Sequence, residues 1–163
     1  GTPLMSKTNV PALVIVGPGI DTDYGHAIMQ IISEDIELKN NIFFPGMLSG
    51  HAKWGAFYNS EAFILPSHQE NFGIAVVEAL ACQKPVLISD QINIWNEINN
   101  EKAGIIESDT LLGTLNLLKR WINLADEDKT LMGQRATKCY KTFFSIEALV
   151  QSWKAHVFNN DNI

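Results

Sequence analysis

Apolar residues along this chain follow two alternating rhythms. Residues 12–16 are the run Ala-Leu-Val-Ile-Val behind Pro11, stopped by Gly17-Pro18-Gly19. A continuous apolar run ended by glycines is the pattern of a parallel strand buried on both faces, here over 11–16. Ile28, Ile31, Ile32 and Ile36 then recur at helical spacing, predicting a helix over 24–38 that Asn40-Asn41 breaks. Ile42-Phe43-Phe44 is the next strand, closed by Pro45-Gly46. Ser49 is placed to cap a helix over 49–59, with Ala52, Ala56 and Phe57 facing inward. A third strand falls at 62–65 and a helix runs from Phe72-Gly73 to residue 83. A fourth strand, 85–89, opens on proline, which is tolerated at a first strand position. The fifth is at 103–106.

Beyond that point the strand pattern stops. Leu111, Leu115, Leu118 and Ile122 mark one amphipathic helix, and residues 126–144 form another. Ile146, Leu149, Val150, Trp153 and Val157 mark the last, with Ser145 as its N-cap. Strands alternating with helices predict an α/β fold: a doubly wound parallel sheet of five strands, covered on both faces, with a helical C-terminal tail. Its expected core contains Val14, Ile15, Phe43, Ile64, Val77, Val86 and Ile105. Such sheets bind ligands at the carboxyl ends of their strands, which singles out the loops 17–21, 45–48, 66–73 and 89–93.

Composition narrows the function classes. The 163 residues are 46% hydrophobic and 18% charged, as expected of one globular domain. The formal charge is −6 and no Lys/Arg cluster occurs, which argues against nucleic acid as a partner. No apolar run reaches the ~20 residues of a transmembrane segment. Residues 1–9 are polar and lack the apolar core of a signal peptide. Residues 1–10, starting at a glycine, are read as a tag, linker or truncated lead-in, and 11–160 as the domain. Cys82 and Cys139 are the only cysteines and offer neither a disulfide framework nor metal-ligand spacing, so a reducing cytoplasm fits. His26, His51 and His156 are scattered, and no metal site is expected.

The chemistry concentrates in residues 63–81. The helix from Gly73 is apolar almost all round and is expected to be buried, yet it carries Glu78, the only charge between Glu70 and Lys84. A carboxylate there is costly unless paired, either with a protein group such as Lys84 or with ligand hydroxyls. Gly73 allows close approach of the backbone to a ligand, and the free amides of a helix N-terminus favour phosphate; the plainer reading of Gly73 is a tight helix entry. At a rise of ~1.5 Å per residue, Glu78 lies about 7–8 Å along the axis from Gly73, a plausible separation of pyrophosphate and ribose.

Glu70 and Glu78 form a Glu-x7-Glu pair within strand-Pro-Ser-x-x-Glu-x-Phe-Gly-x-x-x-x-Glu-Ala. This arrangement resembles the signature of the retaining GT-B glycosyltransferases of the group 1 family. The flanks agree: residues 42–48 resemble the family's strand-Gly segment and residues 59–66 its strand ending in Pro-Ser. Lys84-Pro85-Val86 resembles its Gly-Lys-Pro-Val turn, and residues 103–106 its next strand. The resemblance covers about residues 11–157.

It implies the nucleotide-sugar-binding, Rossmann-like half of a two-domain enzyme that moves a sugar from a nucleotide diphosphate sugar to a glycan, lipid or small-molecule acceptor. Glu70 would face the transferred sugar as the catalytic residue, and Glu78 would bind the ribose hydroxyls. Asn71, Phe72, Gly73 and Ile74 would offer backbone amides to the sugar and diphosphate, Met47 and Leu48 would contact the base, and Gly17 would line the diphosphate side. The family usually works without a metal or other cofactor and binds its acceptor in a separate N-terminal domain, absent here. The full-length protein is expected in the cytoplasm or at the inner face of the membrane.

Three departures stand out. Asn71 replaces a common glycine, Asn93-Ile94-Trp95-Asn96-Glu97 stands where Gly-Gly-x-Pro-Glu is usual, and the family's first strand, with its diphosphate-binding Arg and Lys, is not found before Pro11. His68 reads as a surface-loop histidine, and Asp21 and Asp23 as solvated turn residues. Asp90 is either functional or a cap. Trp54, Trp95, Trp121 and Trp153 read as core or interdomain packing. The competing class is a non-catalytic Rossmann-like module that binds a nucleotide or a partner protein.

Overall fold

A computed structural model describes residues 11–158, so the expected lead-in of 1–10 lies outside the described residues. The chain divides into two compact units between Trp54 and Gly55. The first unit holds β1 (Leu13–Val16), α1 (Asp23–Glu34), α2 (Ile36–Asn41) and β2 (Ile42–Gly46), and α3 (Gly50–Asn59) carries the division. β1 and β2 pair in parallel, Leu13 with Ile42 and Val14 with Phe43. Gly17 N–H prolongs the ladder by donating to Gly46 C=O at 3.1 Å.

The single helix expected over 24–38 is two helices. The Asp35 carboxylate accepts from the Glu37 and Leu38 amides at 2.8 and 3.2 Å, so a short polar side chain starts a new helix where the old one ends. The expected core is also corrected here: Val14, Ile15 and Phe43 are exposed. Among the described residues of this unit only Gly25 and Ile32 are buried. Two strands and their helices do not cover both faces, so the apolar run of β1 has the composition of a central strand without its burial.

The second unit holds β3 (Phe63–Leu65), α4 (Ile74–Ala81), β4 (Val86–Ser89), α5 (Trp95–Asn100) and β5 (Gly104–Glu107). It continues with α6 (Leu111–Ile122), α7 (Asp126–Cys139), a π-helical turn (Tyr140–Phe144) and α8 (Ile146–Phe158). The strands run parallel in the order β3-β4-β5. Among the described residues the strands thus form two ladders, one of two and one of three, each parallel within itself, rather than the single five-stranded sheet expected.

β4 shows why the fold is covered on both faces. Val86 and Ile88 belong to a cluster with Val76, Leu80, Ile98, Ala136 and Cys139, whereas Leu87, one residue out of phase, packs with Ile105, Leu117 and Trp121. Each fully buried aliphatic chain contributes about 1.5–3 kcal/mol. Ile64 and Val77 are half-buried against these clusters, and Val86 and Ile105 are core as expected.

Two elements differ from the sequence pattern. α5 was not expected, because its apolar content is one turn, Ile94 and Ile98 with Trp95 beside them. The long helix over 126–144 leaves α geometry at Cys139 and finishes as the π-helical turn, where Ser145 N–H donates to Tyr140 C=O at 2.9 Å. Ser145 caps α8 as expected, its hydroxyl accepting from Ala148 N–H at 3.2 Å. Trp121 is buried and Trp95 half-buried, but Trp54 and Trp153 are exposed.

Candidate functional site

The loop from β3 to α4 is held by the end of β4. The buried Ser89 hydroxyl donates to Ser67 C=O. Three residues on, Glu70 bridges Ile92 in parallel: Glu70 N–H donates to Gln91 C=O at 3.5 Å, and Asn93 N–H donates to Glu70 C=O at 3.3 Å. The β3–β4 pairing thus resumes for one residue past the strand ends, which fixes the Glu70 backbone at the carboxyl edge of the sheet.

Gly73 then turns the chain into α4 with φ +65, a left-handed conformation suited to glycine. A Cβ there would stand 3.1 Å from Ile92 Cγ2 and 3.2 Å from Val76 Cγ2. The Val76 and Val77 amides donate to Gly73 C=O at 2.8 and 3.2 Å, so Ile74 and Ala75 head the helix. Asn71, Phe72 and Ile74 are exposed, and the Phe72 ring meets Phe144 edge-on at 6.1 Å. Glu70 and Glu78 are both half-buried. The expectation that α4 is buried all round is corrected: Val76, Ala79 and Leu80 are buried, but Ile74 and Ala81 are open to solvent.

Six of the nine candidate residues, Glu70, Asn71, Phe72, Gly73, Ile74 and Glu78, therefore occupy one loop and the helix it starts. The other three lie in the first unit, at the carboxyl ends of its strands. Gly17 follows β1, and Met47 and Leu48 follow β2, with Met47 exposed and Leu48 half-buried. Lys84, a possible partner of Glu78, donates to Tyr58 C=O at 2.9 Å. Asp90 Oδ1 accepts from Gln91 Nε2 at 2.7 Å.

Sequence reasoning missed two supports of the loop. Ser89 carried a weak signal, a polar residue closing an apolar strand. His68 carried none: its Nδ1 lies 3.0 Å from Asp109 Oδ2, a partner 41 residues away in the loop after β5. Among the described residues no group of three or more His, Cys, Asp and Glu could hold a metal, and the His156 side chain lies outside them. A groove of about 720 Å³ lined by Tyr58, Ser60, Lys84, Pro85, Lys129 and Gly133 opens at the amino ends of β3 and β4. Parallel sheets bind ligands at the opposite end, so we place the site at the Glu70 loop rather than in this groove.

A sequence profile described as "Glycosyl transferases group 1" matches residues 4–136. The chain belongs to this glycosyl transferase family. The group 1 chain is 32% identical over 88 residues to the O-antigen chain mannosyltransferase RfbU of Salmonella typhimurium, a match covering 54% of this chain and 24% of that protein. It thus spans about a quarter of the length of that curated relative. Among solved structures, Anabaena HepE in complex with UDP superposes with a TM-score of 0.74 at 18% identity, over 91% of this chain and 41% of that one. Sucrose-phosphate synthase from Thermosynechococcus elongatus gives 0.70 at 20% identity, over 94% and 41%. At those identities the structures establish the shared GT-B type of α/β fold for this group 1 chain. No helix among the described residues is long and apolar enough to cross a membrane.

Proposed function

We propose that this chain binds the donor of a retaining glycosyltransferase, a nucleotide diphosphate sugar, and that the longer enzyme transfers the sugar to a glycan, lipid or small-molecule acceptor held by another domain. The observation that carries this reading is the backbone pairing of Glu70 beside the left-handed Gly73. It supports a sugar-facing Glu70 directly ahead of a helix whose first amides suit a diphosphate and whose Glu78 suits a ribose. HepE, of the same fold, has been solved with UDP and with UDP-glucose. On this reading Asn71, Phe72, Gly73 and Ile74 contribute backbone amides, Met47 and Leu48 meet the base, and Gly17 borders the diphosphate. No metal or other cofactor takes part. A cytoplasmic setting accords with Cys82 and Cys139, both buried and neither in a disulfide.

Isothermal calorimetry of the purified chain against UDP, GDP, ADP and their glucose conjugates tests the proposal. One nucleotide series is expected to bind with about millimolar dissociation constants, some −4 kcal/mol. Absence of binding across all three series would overturn it.

A further inference from the structure

At the carboxyl edge of the second unit's sheet, one side-chain pair joins the loops that follow its two outer strands. His68 lies two residues before Glu70, and Asp109 follows β5; their side chains meet at 3.0 Å. The two ends of this tie differ in rigidity. Asp109 sits between Ser108 and Thr110, whose hydroxyls lie 2.9 Å apart, and Thr110 Oγ1 caps α6 by accepting from Gly113 N–H at 3.0 Å. Gly113 is buried so closely against this turn that a Cβ would stand 1.9 Å from Ser108 C=O. Asp109 is thus fixed by a helix start, while His68 stands in an irregular loop with an imidazole that is 86% exposed.

We propose that His68 is a positioning residue: through Asp109 it anchors the loop that carries Glu70, and so sets how that carboxylate meets the sugar of the donor. The inference deepens the donor-binding reading and rests on it. Three ties then converge on residues 67–70: the Ser89 hydroxyl on Ser67, the backbone pairing of Glu70 with residues 91 and 93, and the imidazole on Asp109. The first two hold the loop to the strand next to it, and only the third reaches past β4 to the far side of the sheet. A neutral imidazole that donates from Nδ1 to a carboxylate has its tautomer fixed, with Nε2 unprotonated. An exposed pair of this kind adds little to global stability, so its removal should act on the loop and leave the fold intact.

The test uses three variants of the whole chain: His68→Ala, Asp109→Ala and His68→Asn, whose amide can donate from the place of Nδ1. Amide hydrogen exchange at Glu70 and Asn93 is expected to quicken about two- to five-fold in both alanine variants and to stay at the native rate in His68→Asn. Proton–nitrogen correlation spectra should show the Nδ1–H tautomer of His68 in the native chain and lose that preference in Asp109→Ala. The affinity ratio of nucleotide sugar to bare nucleotide should fall in both alanine variants, with bare-nucleotide affinity unchanged. Native exchange rates at Glu70 and Asn93 in Asp109→Ala, or an unchanged ratio, would overturn the proposal. Failure of the native chain to bind any nucleotide would overturn the donor-binding reading instead, and the exchange and tautomer measurements would still decide whether the tie holds the loop.

Discussion

Replacing Gly73 by alanine separates the backbone role of this residue from its contacts. Residue 73 has φ +65, and a non-glycine residue in the left-handed region costs roughly 1–2 kcal/mol. The new methyl would lie 3.1 Å from Ile92 and 3.2 Å from Val76, both fully buried, so neither neighbour moves freely. Overpacking of that kind costs about 1–3 kcal/mol. Together the losses come to about 2–5 kcal/mol, enough to lower the melting temperature by roughly 4–20 °C in a chain of this size. Urea denaturation followed by circular dichroism measures the loss, with Gly73→Asn as the control. Asparagine tolerates the left-handed region better than alanine, so it should recover part of the backbone cost while keeping the steric one. A loss below about 0.5 kcal/mol for Gly73→Ala would refute both the conformation and the packing assigned to this turn.

Glu78→Gln should leave the fold intact and weaken nucleotide binding by about 1.5–3 kcal/mol for each hydrogen bond lost to the ionised acceptor; unchanged affinity in calorimetry would remove Glu78 from the site. Glu70→Gln in the full-length enzyme should lower turnover far more than bare-nucleotide affinity, because its contacts concern the sugar in the transition state; equal losses in both would reassign it. Burial pushes the Cys139 thiol up from its ordinary 9.0 to about 12, with Glu101 and Glu97 adding to the effect. The folded state thus keeps a proton that the unfolded chain gives up, so stability is intact below pH 9 and falls as the pH rises from there towards 12. Between pH 8 and pH 10 the loss should be on the order of 1 kcal/mol, measurable by urea denaturation and missing in Cys139→Ala.

Much of the fold could be read from hydrophobic rhythm alone. β4 has apolar residues at three successive positions and is buried on both faces, as a continuous run predicts. β1 has the same kind of run and is exposed, because burial depends on what covers a strand and not on its own residues. α5 escaped notice because six residues give one hydrophobic turn, too short for a helical period to register. At the site, the Glu70-to-Glu78 segment stood out because one charge in an apolar helix is anomalous. The ties that hold the segment were hidden for a different reason. A hydrogen bond between His68 and Asp109 crosses 41 residues, and backbone pairing by Gln91 and Asn93 needs no particular side chain.

The separation of the strands into ladders of two and three has a consequence for handling this polypeptide. In the ladder of three, β3 is a margin strand, paired on one side with β4. Each margin is a row of amide donors and carbonyl acceptors on which a strand from another molecule can add itself. β3, reading Phe-Ile-Leu, combines such a margin with high β-propensity and no charge. Concentrated samples should therefore be lost through intermolecular strand addition at β3 before the domain unfolds.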